Sequence, residues 1–150
     1  MITMARLGLV CLALGWLTIR VSADQTGVES LGKRSLHAFL AATKGGKRTT
    51  TFSADVPEIY VVWKGEGFQV GDTIQITWIA EDVGAGAKES EIRRANYKVY
   101  KEAEEGVFSL GRPAGRAWPV GKYRVELDIN GSIAEVVKFT VKPGVTIETN

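Results

Sequence analysis

The chain has 150 residues, with 19 basic and 17 acidic side chains, one histidine and one cysteine, and 45% of it is hydrophobic. That composition suits one globular domain, and its nearly balanced charge gives no global attraction for nucleic acid or an anionic membrane. A lone cysteine cannot close an intramolecular disulfide, so the fold has to rest on apolar burial.

Residues 1–23 have the pattern of a secretory signal peptide: Met1 and Arg6, an apolar run from Leu7 to Ile19, then Val21-Ser22-Ala23 ahead of Asp24. The apolar run is shorter than the roughly 20 residues a membrane-crossing helix needs, so cleavage after Ala23 is expected rather than stable membrane insertion. Cys11 follows Val10, where a lipoprotein signal requires a small residue, and it leaves with the leader. Cleavage removes Arg6, Arg20 and no acid, so the mature chain balances 17 basic against 17 acidic side chains and has no cysteine. The expected location is periplasmic or extracellular.

Residues 24–48 show no strand alternation and form an expected linker or arm, helical or disordered. Leu36, Phe39 and Leu40 are spaced as the apolar stripe of a short helix over 35–43, which Gly45 would stop. Lys44, Lys47 and Arg48 make this segment basic, as a solvated linker often is.

From residue 49 onward, short apolar runs alternate with turn signals, predicting strands over 49–53, 58–64, 72–80, 96–102, 107–110, 121–129 and 132–142. The last pair is the clearest. Tyr123, Val125, Leu127 and Ile129 alternate with Lys122, Arg124, Glu126 and Asp128. Asn130-Gly131 supplies two residues tolerant of positive φ for a type I′ turn, and Val137, Phe139 and Val141 return. Ile74, Ile76 and Trp78 share a face of an earlier strand. Tyr60 and Val62 lie opposite Ile59, Val61 and Trp63, suggesting a strand covered on both sides. The expected fold is all-β, an antiparallel β-sandwich of about seven strands over 49–143, with a tail at 144–150.

Gly71-Asp72-Thr73-Ile74-Gln75-Ile76 resembles the opening of strand B of immunoglobulin-like domains, and Pro119-Val120-Gly121-Lys122-Tyr123-Arg124-Val125 resembles their corner into strand F. The resemblance covers about residues 50–142. It implies that Tyr123 is a tyrosine corner, its hydroxyl tied back to nearby backbone. Val125 stands where antibody-type domains carry their second cysteine, and the strand around Tyr97 and Tyr100, taken as strand C, lacks their tryptophan. The chain therefore resembles the cysteine-free immunoglobulin-like or fibronectin-III-like modules of bacterial exported proteins, which bind, space or present.

Candidate chemistry is sparse. His37 is the sole histidine and lies in the arm, so neither a nucleophilic triad nor a zinc site can be assembled in the sandwich, and no metal or cofactor is expected. The acids Glu81, Asp82, Glu89 and Glu91, and the run Glu102, Glu104, Glu105, follow no calcium-loop pattern. Counting strands upward and downward gathers Trp63, Phe68, Trp118 and Pro119 at one end of the sandwich, either as a core plug or as a platform for a sugar ring. A long loop at 81–95, containing Gly84-Ala85-Gly86, falls at the other end and offers Arg93 and Arg94 to an acidic partner. The expected function is a non-catalytic binding module for a protein or a cell-surface glycan. The alternatives are a carbohydrate-binding module using those rings and a small carboxylate-dependent hydrolase.

Overall fold

The computed structural model describes residues 33–84 and 89–144. The signal segment, residues 24–32 of the arm, the tip 85–88 and the tail 145–150 lie outside the described residues.

Eight strands form two sheets: β1 (Ser35–Ala41), β2 (Thr51–Ser53), β3 (Glu58–Glu66), β4 (Thr73–Val83), β5 (Ser90–Lys98), β6 (Glu104–Gly111), β7 (Gly121–Ile129) and β8 (Ser132–Lys142). One sheet has the order β1-β3-β6 and the other β2-β8-β7-β4-β5. All pairings are antiparallel except β2 with β8. The chain is an all-β, immunoglobulin-like sandwich.

The core lies between the sheets. Leu36 and Leu40 of β1, Ile59, Val61 and Trp63 of β3, and Ile74, Ile76 and Trp78 of β4 meet Tyr123, Val125, Leu127, Val137, Phe139 and Val141 of the terminal hairpin. The hairpin matches its prediction. Asn130 and Gly131 have φ of 52° and 86°, as a type I′ turn requires. Asn130 does more than turn the chain: its Oδ1 accepts from the Thr73 amide, and its Nδ2 donates to the buried Asp72 carboxylate at 2.8 Å. Asp72 also accepts from the Gln69 amide, and Arg34 Nε lies 3.5 Å away. One acid thus knots the β3–β4 turn to the β7–β8 turn.

Three expectations are corrected. The helix over 35–43 is strand β1. Leu36, Ala38 and Leu40 satisfy a period of two as well as Leu36, Phe39 and Leu40 satisfy a helical stripe, and pairing with β3 from Ser35↔Glu66 to Ala41↔Tyr60 decides the matter. The arm is therefore part of the domain from residue 35 onward. The long loop at 81–95 is largely strand. β4 runs to Val83 and β5 starts at Ser90, several residues before the predicted 96–102 strand, which leaves a short connection. Charged residues mask the alternation of β5, because this edge strand meets solvent on most sides. Finally, Tyr60 and Val62 are half-buried on an outer face that no described element covers.

In immunoglobulin lettering, β1 and β3 are A and B, β4 and β5 are C and C′, and β6, β7 and β8 are E, F and G. The 71–76 segment thus opens strand C rather than B. Trp78, paired with Val125 of strand F, is the strand-C tryptophan, and the strand around Tyr97 is C′.

Candidate functional site

The aromatic end cluster does not form. Trp118 sits at the end where β4 stops and β7 begins: its amide donates to the Ala54 carbonyl and its indole Nε1 to the Val56 carbonyl at 2.9 Å. Phe68 sits at the opposite end, where its amide donates to the Glu102 carbonyl and its ring meets Trp63 edge-on at 6.4 Å. β3 to β7 alternate in direction with no strand D between β5 and β6, so the β3–β4 and β6–β7 connections emerge at opposite ends. A shared end requires a strand D, which the predicted strands do not include. Trp118, Phe68 and Trp63 are each no more than 4% exposed. They plug the two ends of the core, and none of these three rings is free to stack on a sugar.

Trp118 borders a cleft of about 240 Å³ with Ala80, Val83, Ile92 and Pro119. A larger depression of about 640 Å³ lies between the start of β1 and the β7–β8 hairpin, where His37 Nδ1 is 3.5 Å from Glu135 and Ile133 forms part of the wall.

Tyr123 is a tyrosine corner. Its hydroxyl donates to the Pro119 carbonyl, its ring stacks on Phe139 at 5.1 Å, and Trp118 meets it edge-on. Burial pushes the phenol up to about 12. Arg93 and Arg94 lie on exposed edge strand β5. Arg94 pairs with Glu91 at 2.6 Å, and Arg93 makes no ion pair among the described residues.

Sequence reasoning missed a charged hub on the outer face of the five-stranded sheet. Arg124, with its side chain 16% exposed, contacts Glu89 at 2.5 Å, Glu126 at 2.6 Å and Glu81 at 3.2 Å; Lys138 lies 3.5 Å from Glu81. Hydrogen bonds to Glu89 and Glu126 raise the guanidinium pKa, and the Arg124 hydrogen bond holds the Glu89 carboxyl below its usual value. Alternation placed Arg124 and Glu126 on the outer face, but the reach of Glu81 and Glu89 depends on the β4–β7 pairing. On β8, Ile133 and Val136 stand on this same face, 62% and 42% exposed. Among the described residues no group of three or more histidines, cysteines and acids is arranged to hold a metal.

No protein-family model matches the chain, and no curated protein sequence matches it. An immunoglobulin-like protein of Pseudomonas aeruginosa superposes with a TM-score of 0.51 at 16% identity, over 74% of this chain and 93% of its own. A beta-glucosidase of Listeria innocua matches with a TM-score of 0.48 at 12% identity, over 76% of this chain and 17% of the enzyme. The alkylpurine DNA glycosylase AlkC of Pseudomonas fluorescens matches with a TM-score of 0.46 at 10% identity, over 73% and 30%. The first likeness establishes the fold alone; the other two are too distant to inform function.

Proposed function

We propose that the chain is an exported, non-catalytic immunoglobulin-like module that recognises a protein partner through the outer face of its five-stranded sheet. The observation that carries this reading is the pairing of exposed Ile133 and Val136 with the ordered charges around Arg124. Apolar side chains beside fixed charges supply both the desolvation and the orientation that protein recognition uses. Glycan recognition would draw on Trp118, Phe68 and Trp63, and their burial argues for a protein partner instead. Hydrolysis by a carboxylate pair requires one acid with a raised pKa, whereas Glu89 is held low beside a guanidinium. Export rests on the leader pattern of residues 1–23.

Two experiments test the proposal. N-terminal sequencing of protein recovered outside the cytoplasm is expected to begin at Asp24, and full-length material retained inside cells would contradict export. Capture of a partner is expected to be lost in Ile133→Asp and Val136→Asp and kept in Val120→Asp, which alters an exposed apolar residue just before β7. Equal recovery by all three would rule out this face.

A further inference from the structure

The seam where β5 and β6 lie side by side is open. These are the outermost strands of the two sheets on the same side of the sandwich, and no described strand pairs with the free edge of either. They are tied across the gap: the Tyr97 hydroxyl of β5 donates to Glu104 Oε1 at 2.7 Å, and the Tyr100 amide donates to Glu104 Oε2 at 3.0 Å. Three of the seven large apolar residues exposed among the described residues lie along this seam, Ile92 on β5, Tyr100 in the link and Val107 on β6. Phe108 and Tyr97 are only partly covered behind them. An unpaired edge strand with exposed apolar residues is a template for another strand.

The two edges carry opposite charge. β5 holds Arg93, Arg94 and Lys98 against one acid, Glu91, while β6 holds Glu104 and Glu105 and no cation. Hydrogen bonds from the Tyr100 amide and the Tyr97 hydroxyl hold the Glu104 carboxyl below its usual value, so β6 stays anionic. Symmetry then selects among pairings. A two-fold axis normal to the sheets would set β5 against its own copy, arginine facing arginine, and β6 against its own copy. A two-fold axis parallel to the strands sets β5 of each copy against β6 of the other. Because β5 and β6 run in opposite directions within one chain, both of these pairings are antiparallel. Rotation about such an axis keeps each residue's height along the strands. Glu104 is tied to Tyr97 and Tyr100 on either side of Lys98, so Lys98 of each copy comes level with Glu105 of the other. This pairing occurs twice, and both open edges close together.

We infer that the β5–β6 seam is the interface of a two-fold dimer, in which basic β5 of each copy adds to acidic β6 of the other and both sheets become continuous.

Sedimentation equilibrium of the purified protein, with circular dichroism and melting curves to verify folding of each variant, tests this. The protein is expected to show a concentration-dependent dimer that weakens with added salt. The Lys98→Glu variant and the Glu105→Lys variant should each weaken association about tenfold, or about 1.4 kcal/mol. Combining the two substitutions should recover most of it. A monomer throughout the micromolar to submillimolar range, a dimer indifferent to the separate reversals, or a combined variant no better than either parent would each overturn the interface.

Discussion

Replacing Tyr123 with phenylalanine isolates the hydrogen bond of the tyrosine corner from the packing of its ring. The ring is 1% exposed and lies between Phe139 at 5.1 Å and the edge of Trp118, and phenylalanine keeps both contacts. The change removes the hydroxyl and with it the donor to the Pro119 carbonyl. Pro119 is itself exposed, so water can replace the donor, and the cost should lie near the net value of one hydrogen bond, about 1–1.5 kcal/mol, instead of the larger penalty of a stranded acceptor. With a urea dependence of about 1–1.5 kcal/mol/M for a domain of this size, the midpoint of unfolding should fall by about 1 M with its slope unchanged. Tyr123→Ala loses the ring as well and should cost about 3–5 kcal/mol. A second readout follows from the phenol. Its pKa is raised to about 12 in the folded chain from the ordinary 10.0, so its contribution is complete below pH 10.0 and is lost as pH rises through about 12. Tyr123→Phe should remove that part of alkaline unfolding. A phenylalanine variant with an unshifted midpoint, or one as unstable as Tyr123→Ala, would refute this account of the corner.

Gly106→Ala would place a Cβ 2.6 Å from Cζ2 of the buried Trp63 ring, and thermal unfolding should show a loss of about 1–3 kcal/mol even though alanine suits a strand better than glycine. Asp72→Ala strands the Gln69 amide and the Asn130 amide group at a 5% exposed position, and denaturant titration should register a loss of about 2–3 kcal/mol. Burial pushes the Asp72 carboxyl up, but its bonds to Gln69 and Asn130 and the charge of Arg34 outweigh this and leave it below 3.8. Asp55, Glu58, Glu89 and Glu104 are also held below their ordinary values. A depressed carboxyl stabilises the fold above its unfolded pKa and ceases to do so as pH falls through its folded pKa, so melting temperature should be flat from neutrality to about pH 5 and drop steeply below about pH 4. Arg124→Ala should lower stability by about 1–2 kcal/mol, and the loss should shrink in high salt, because its three glutamates are partly solvated.

The sandwich was legible where one sheet face is buried and the other wet. Tyr123 to Ile129 and Ile74 to Trp78 announce that geometry residue by residue, and Asn130-Gly131 fixes the turn between the last two strands. β1 was hidden because Leu36, Phe39 and Leu40 satisfy a helical period in a segment too short to exclude it, and only pairing with β3 settles the conformation. β5 was hidden because an edge strand need not alternate when solvent reaches most of it. The ends of the sandwich were legible too: the predicted strands, taken in strict alternation, put Phe68 and Trp118 at opposite ends as the structure does, and gathering them at one end assumes a strand D that the sequence does not offer. The Arg124 hub was visible only as scattered charges, since Glu81 and Glu89 reach Arg124 across 43 and 35 residues of sequence.

Photo-crosslinking from a reactive side chain placed at Val136, compared with one at Val62 on the outer face of the three-stranded sheet, tests the proposed recognition surface most directly. Performed outside the cytoplasm in the native cell, it is expected to yield a discrete protein adduct from position 136 that disappears when Ile133 is aspartate, and none from position 62. Adducts only from position 62, or from both positions and indifferent to Ile133→Asp, would contradict recognition through the five-stranded sheet.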